Sequence, residues 1–149
     1  MLTENDKRTK TGDLGERLVA KYYRDLGHKV DESLNLFDRF KDMSIDDESC
    51  EVKTQIPWIK ENAFTIQESQ VKKCLSVDRL IFVETPSKFN DYKVEIYEFP
   101  KESRDPKVKI TKDNRKMILF EKKKGVLLTT ITDDEIVNQF KRYSLSEWK

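Results

Sequence analysis

Cysteine, histidine, glycine and proline are all scarce in this chain. Two cysteines, Cys50 and Cys74, and one histidine, His28, form no CxxC or Cys/His grouping, which excludes a conventional zinc site. Both cysteines fall at positions expected to face a core, and reduced thiols in a cytoplasmic compartment are the simplest account of them. His28 follows a helix stop and reads as a packing or turn residue rather than a general base. Four glycines and four prolines in 149 residues argue against long flexible loops. No apolar run approaches the ~20 residues that cross a bilayer, so no membrane span is expected. The first ten residues lack the apolar stretch of a signal peptide. Repeats and low-complexity tracts are missing too. A large net charge is also absent: 29 Lys and Arg against 28 Asp and Glu leave +1, so composition alone does not argue for nucleic acid.

What is abundant is charge itself, 38% of residues, and it is unevenly placed. Residues 31–51 hold eight acids and two bases, a net −6, whereas residues 107–124 hold eight bases and two acids, a net +6. The first segment suits cations and the second suits phosphates. The plain alternative for Lys122-Lys123-Lys124-Gly125 is a solvated turn, with lysines guarding sheet edges. At this length the chain is expected to be a loose arm over residues 1–12 followed by one domain over residues 13–149.

The patterning alternates helix and strand. Leu14, Leu18, Val19, Tyr22, Tyr23 and Leu26 recur with helical period, with Asp13 as N-cap and Gly27 as C-terminal stop. Asp13 and Glu16 are spaced as a capping box, which gives Glu16 a purely structural alternative. A short strand over 28–31 follows, then a hairpin, then a helix over 67–76 opened by the capping-box signature Thr65-x-x-Glu68, with Val71, Cys74 and Leu75 toward the core. Arg79 to Glu84 reads as a buried strand. Tyr92 to Phe99 alternates as a strand. Lys116–Phe120 and Val126–Thr130 bracket the Lys-Gly turn as a hairpin. Thr132-Asp133-Asp134-Glu135 opens a last helix through Ile136, Val137, Phe140 and Tyr143. Trp58 falls in a loop, where packing or a dimer contact competes with base stacking.

The chemistry concentrates between Lys41 and Gln55. Side chains of a strand alternate between faces, so Glu51, Lys53 and Gln55 share one face while Cys50, Val52 and Thr54 share the other. If residues 46–49 turn the chain, Asp42 comes beside Glu51. Two close carboxylates repel unless one is protonated or a cation lies between them, and such hard oxygens suit Mg²⁺ or Mn²⁺. Lys53 would stand near the same point, placed to orient a water or to offset developing charge. Gln55 on the same face is in reach of substrate. Against this stands the plain alternative of a solvated hairpin, since Asp, Glu and Lys are common on exposed strands.

Taken in order, the Gly15-Glu16 helix, the Asp42…Glu51-x-Lys53 hairpin, the Gln70-bearing helix and the buried strand resemble the PD-(D/E)xK nuclease superfamily. That group includes restriction endonucleases, archaeal-type Holliday-junction resolvases and recombination exonucleases. The resemblance covers roughly residues 11–84. It implies an α/β, restriction-endonuclease-like fold, a central mixed β-sheet flanked by α-helices with the site at one sheet edge. It implies Mg²⁺, for which Mn²⁺ substitutes, held by Asp42, Glu51 and the carbonyl of Val52. Lys53 would be the water-associated base or stabiliser, Glu16 would contact the metal or its waters, and Gln70 would lie near the scissile phosphate. A surface role for Gln70 is the alternative. Lys41 stands where the motif often has proline, and Asp38 and Asp46 remain rival acids for Asp42. The activity implied is hydrolysis of DNA phosphodiesters in recombination or repair. A structure-selective, junction-resolvase-like endonuclease acting as a homodimer is the first expectation, and an exonuclease or restriction-type enzyme the next. A catalytically inactive DNA- or protein-binding module of the same fold is the expectation from another class.

Overall fold

The computed structural model describes residues 2–32 and 43–144. The chain opens with α1 (Glu4–Asp25). The helix starts nine residues before the expected Asp13 cap, because Thr3 and Asp6 form a reciprocal capping box. Most of the expected arm is therefore helix, and Asp13 and Glu16 are interior helical residues rather than a cap. The stop at Gly27 is as expected: φ is +92°, and the amides of Gly27 and His28 close back on Arg24 and Tyr23.

Three antiparallel strands follow, β1 (Val30–Asp31), β2 (Met43–Ile45) and β3 (Glu48–Gln55). Asp46 and Asp47 join β2 to β3 as a two-residue turn with φ of 50° and 67°. Aspartate tolerates that left-handed region better than most residues, and the tight turn fixes the register Met43↔Cys50. His28 Nδ1 meets Asp46 Oδ2 at 2.5 Å, so this histidine serves the turn.

After β4 (Ala63–Ile66), a single 3-10 turn (Glu68–Gln70) leads into α2 (Val71–Ser76) and β5 (Arg79–Glu84). Thr65 lies in β4 and caps nothing. The turn starts after Gln67 with no side-chain cap. Cys74 is buried as expected, but Leu75 is exposed. The chain continues through β6 (Val94–Phe99), β7 (Lys107–Ile110), β8 (Lys116–Glu121), β9 (Val126–Ile131) and α3 (Asp134–Arg142). Asp133 caps α3, accepting from the Glu135 and Ile136 amides.

The strands form two sheets, one of six in the order β1-β2-β3-β5-β6-β9 and one of three in the order β4-β8-β7. Among the described residues only β3 and β5 run parallel, and α2 lies in the crossover between them. The expected hairpin of Lys116–Phe120 with Val126–Thr130 does not form. Lys122–Lys124 instead carries the chain from one sheet to the other, anchored by the Lys122 amide on the Asn62 carbonyl.

Alternation along β5 builds both cores. Ile81 and Val83 pack with Leu18, Val19, Ala20 and Tyr23 of α1 and Phe140 of α3. Leu80 and Phe82 pack with Phe64, Phe99, Phe120 and Cys74. A mixed α/β architecture is therefore present, with α1 and α3 on one face of the large sheet and the second sheet with the short α2 on the other. Gly15 lets α1 approach closely, since a Cβ there would lie 1.9 Å from Thr54 Oγ1. No described helix is long and apolar enough to cross a membrane.

Candidate functional site

Cys50 and Val52 point into the α1 core, so Glu51 must point to the opposite face, toward α2 and the second sheet. It is 1% exposed there. An isolated buried carboxylate is costly, and it persists only when paired. Two ammonium groups supply the pairing. Lys53 Nζ lies 3.2 Å from Glu51 Oε1, and Lys73 Nζ lies 2.8 Å from Oε2. Each oxygen of this carboxylate therefore has an ammonium within ion-pair distance. Lys53 also donates to Gln70 Oε1 at 3.0 Å. Glu51, Lys53, Gln70 and Lys73 thus form one continuous polar group.

Strand alternation brings Glu51 and Lys53 together as expected, and Gln70 joins them from the 3-10 turn. Lys73 was not foreseen. It lies three residues beyond Gln70 on the same helical stretch, and that spacing was the available signal. β2 pairs with β3 only at Glu48–Cys50, whereas β5 flanks Glu51, Lys53 and Gln55 on the other side.

Gln55 lines the same cleft as Lys53 and Gln70, at the carboxyl end of β3. The Gln55 amide is spent on β4: Nε2 donates to the Thr65 carbonyl and Oε1 accepts from the Thr65 amide, each at 2.8 Å. This pair of bonds mimics a strand ladder and clasps the two sheets together. Glu16 is half-buried on α1, the helix that covers the other face of the large sheet. Asp46 is bound to His28 and to the Lys29 amide, and the His28 bond holds its carboxyl below the usual range. Asp42 and Asp38 lie outside the described residues. Trp58 is half-buried with Lys109 Nζ 5.6 Å over its ring.

Beyond Lys53 the strands open into a cleft of about 980 Å³ at the carboxyl ends of β3 and β5. Arg8 and Lys53 are its charged lining residues; Gln67, Gln70, Thr65 and Tyr143 are among the polar ones. Among the described residues, no carboxylate lines it. Cys74 sits behind the site. Burial pushes its thiol up to about 11, against the pull of Lys53, so it is neutral and unreactive near pH 7.

A second buried carboxylate, Glu84, stands on β5 opposite Gln55. Lys122 Nζ lies 2.7 Å from its Oε1, and Asn90 Nδ2 donates to its Oε2 at 3.1 Å. Among the described residues, no group of three or more His, Cys, Asp or Glu is arranged to hold a metal ion. Comparison with protein-family models, curated proteins and solved structures gave no match.

Proposed function

We propose that the chain is a metal-dependent deoxyribonuclease with a restriction-endonuclease-like fold of the PD-(D/E)xK kind. The observation that carries this reading is the place of the Lys53 ammonium. It touches a buried carboxylate and Gln70, and it faces a cleft whose charged lining, among the described residues, is cationic. A phosphodiester is an anion that such a cleft attracts and a neutral or acidic substrate is not. The order along the chain also supports it: the Gly15-Glu16 helix, the hairpin bearing Glu51 and Lys53, the Gln70 turn and the buried β5 follow one another as the resemblance implies.

The chemistry of the donor fits, since a carboxylate such as Glu51 offers the hard oxygens a divalent ion takes, and the ion would displace the ammonium of Lys53 or Lys73 that now lies beside each of them. In this reading Asp42 and the Val52 carbonyl complete the donor set. An ion such as Mg²⁺ or Mn²⁺ held by these residues would supply Lewis-acid stabilisation of phosphoryl charge. The remaining work falls to the chain. Lys53 holds the attacking water and offsets charge on the phosphate, and Gln70 keeps the Lys53 amine aimed into the cleft. The substrate reading is branched DNA cut by a structure-selective endonuclease of recombination or repair, with exonuclease and restriction-type activities next. Incubation of linear, nicked, single-stranded and four-way DNA with Mg²⁺ tests it, and Lys53→Ala and Asp42→Ala should each abolish cutting. Wild-type activity in both variants would overturn the assignment.

A second reading is a non-catalytic DNA- or protein-binding module. Its support is that two lysines already neutralise Glu51. Mn²⁺ titration separates the two: a nuclease site binds the ion and weakens on Asp42→Asn, whereas no binding at millimolar Mn²⁺ with DNA present favours the module.

A further inference from the structure

We propose that the cleft receives a single-stranded nucleic-acid segment, such as the unpaired arm of a branched DNA, with Arg8 and Lys53 on its phosphates and Tyr143 against a base. This rests on the nucleic-acid reading above and narrows it. Three observations carry it.

The first is size. A volume near 980 Å³ is that of a large small-molecule pocket and admits a few nucleotides at most, not a paired and stacked duplex. The second is charge. Arg8 lies on the second turn of α1 and Lys53 on β3, so cations come from separate elements, and among the described residues no carboxylate lines the cleft, Glu51 pairing with Lys53 from behind it. Lys10 adds a third cation nearby, its Nζ 5.8 Å over the Tyr143 ring. The third is the aromatic. Tyr143 ends α3, is only half-buried, and lines the same cleft. Single-strand sites pair a basic track with aromatic faces, because an unpaired base offers its ring whereas a duplex conceals it.

The test uses the full chain, a labelled oligo(dT) and a blunt duplex of equal length, with EDTA present and binding read by fluorescence anisotropy. Oligo(dT) should bind at least tenfold tighter than the duplex. Arg8→Ala should weaken it several-fold and flatten the log–log salt slope by about 0.7, the value for one lost single-strand phosphate contact. Tyr143→Ala should cost about tenfold, and Tyr143→Phe should restore most of that, as stacking requires. Circular dichroism checks that each variant is folded. Equal affinity for duplex and oligo(dT), no binding of either, or an unchanged Kd in both alanine variants overturns the proposal. A parallel cleavage assay with Mn²⁺ keeps the two readings apart. Single-strand binding without cutting removes the nuclease and leaves the cleft assignment; cutting without single-strand preference does the reverse.

Discussion

Glu51 and Glu84 stand on neighbouring strands, on the same face of the large sheet, each 1% exposed and each beside a lysine. They nevertheless differ in kind. Glu84 meets one ammonium and one neutral amide, and its Lys122 also lies 5.4 Å over the Tyr97 ring. That lysine belongs to the segment that crosses between sheets, so the pair seals the crossing. Burial alone pulls the Lys122 ammonium down in pKa, but Glu84 more than offsets this and holds it above the ordinary value. Glu51 instead meets two ammoniums, a surplus of positive charge, and one of them borders a cleft. A buried ion pair by itself says little about function. Surplus charge and access to solvent distinguish a site from a clamp.

The largest effect that sharpens this contrast is on rate. Glu51→Gln and Lys53→Ala should each lower single-turnover DNA cleavage by ~10²–10⁴-fold, the usual cost of losing a group engaged in proton transfer or charge stabilisation. Glu84→Gln, once shown to be folded, should cut within a few-fold of wild type. Equal losses at both carboxylates would erase the distinction.

Stability should show the opposite ranking. Lys122→Ala strands a buried carboxylate and should cost about 3–5 kcal/mol in urea unfolding. Lys73→Ala leaves Lys53 on Glu51 and should cost about 1 kcal/mol, near the typical value for a replaceable polar contact. A larger penalty at Lys73 than at Lys122 would mean that Glu51 is the structural clamp.

Metal affinity gives a smaller effect. Lys73 Nζ lies 2.8 Å from Glu51 Oε2, so its ammonium competes with any cation there. Lys73→Gln should tighten Mn²⁺ binding by about tenfold, a change of ~1.4 kcal/mol that is modest beside the Coulomb energy of charges this close. Lys73→Arg should keep the wild-type affinity. Calorimetry reads this without any need for turnover, and weaker binding in Lys73→Gln would assign Lys73 a supporting role instead.

Much of this was legible in the sequence because it depends on short-range rules. Period-2 alternation put Glu51 and Lys53 on one face and Cys50 and Val52 on the other, and Gly27 stopped α1 where its backbone freedom predicts. Failures came where a longer-range partner decided. Asp13 lost to Thr3 because two capping boxes compete and the earlier one extends the helix. Thr65 carries a capping signature, but Gln55 recruits its backbone into β4. The Lys-Gly turn reads as a hairpin until Glu84 claims Lys122 and the chain crosses between sheets. Lys73 could be placed on Glu51 only once the β3–β5 crossover was known. The Asp42 half of the proposed metal set lies outside the described residues, so the sequence pattern alone carries it.

The smallest expected effect concerns a third carboxylate at the opposite ends of the same two strands. Asp78, just before β5, accepts from the Ser49 amide at 2.9 Å and from its hydroxyl at 3.2 Å, while its own amide donates to that hydroxyl at 3.0 Å. The Ser49 amide is the main cause that holds the Asp78 carboxyl below its ordinary value of 3.8. A depressed folded-state pKa means that the contribution is complete above the unfolded pKa and is lost as pH falls through the folded one. Unfolding free energy should therefore decline between about pH 5 and pH 2, and Asp78→Asn should remove a small part of that slope without changing stability's response near pH 7. Side-chain exposure of 42% keeps the effect small, because solvent screens it. An unchanged slope would mean that the Ser49 bond stabilises both protonation states equally.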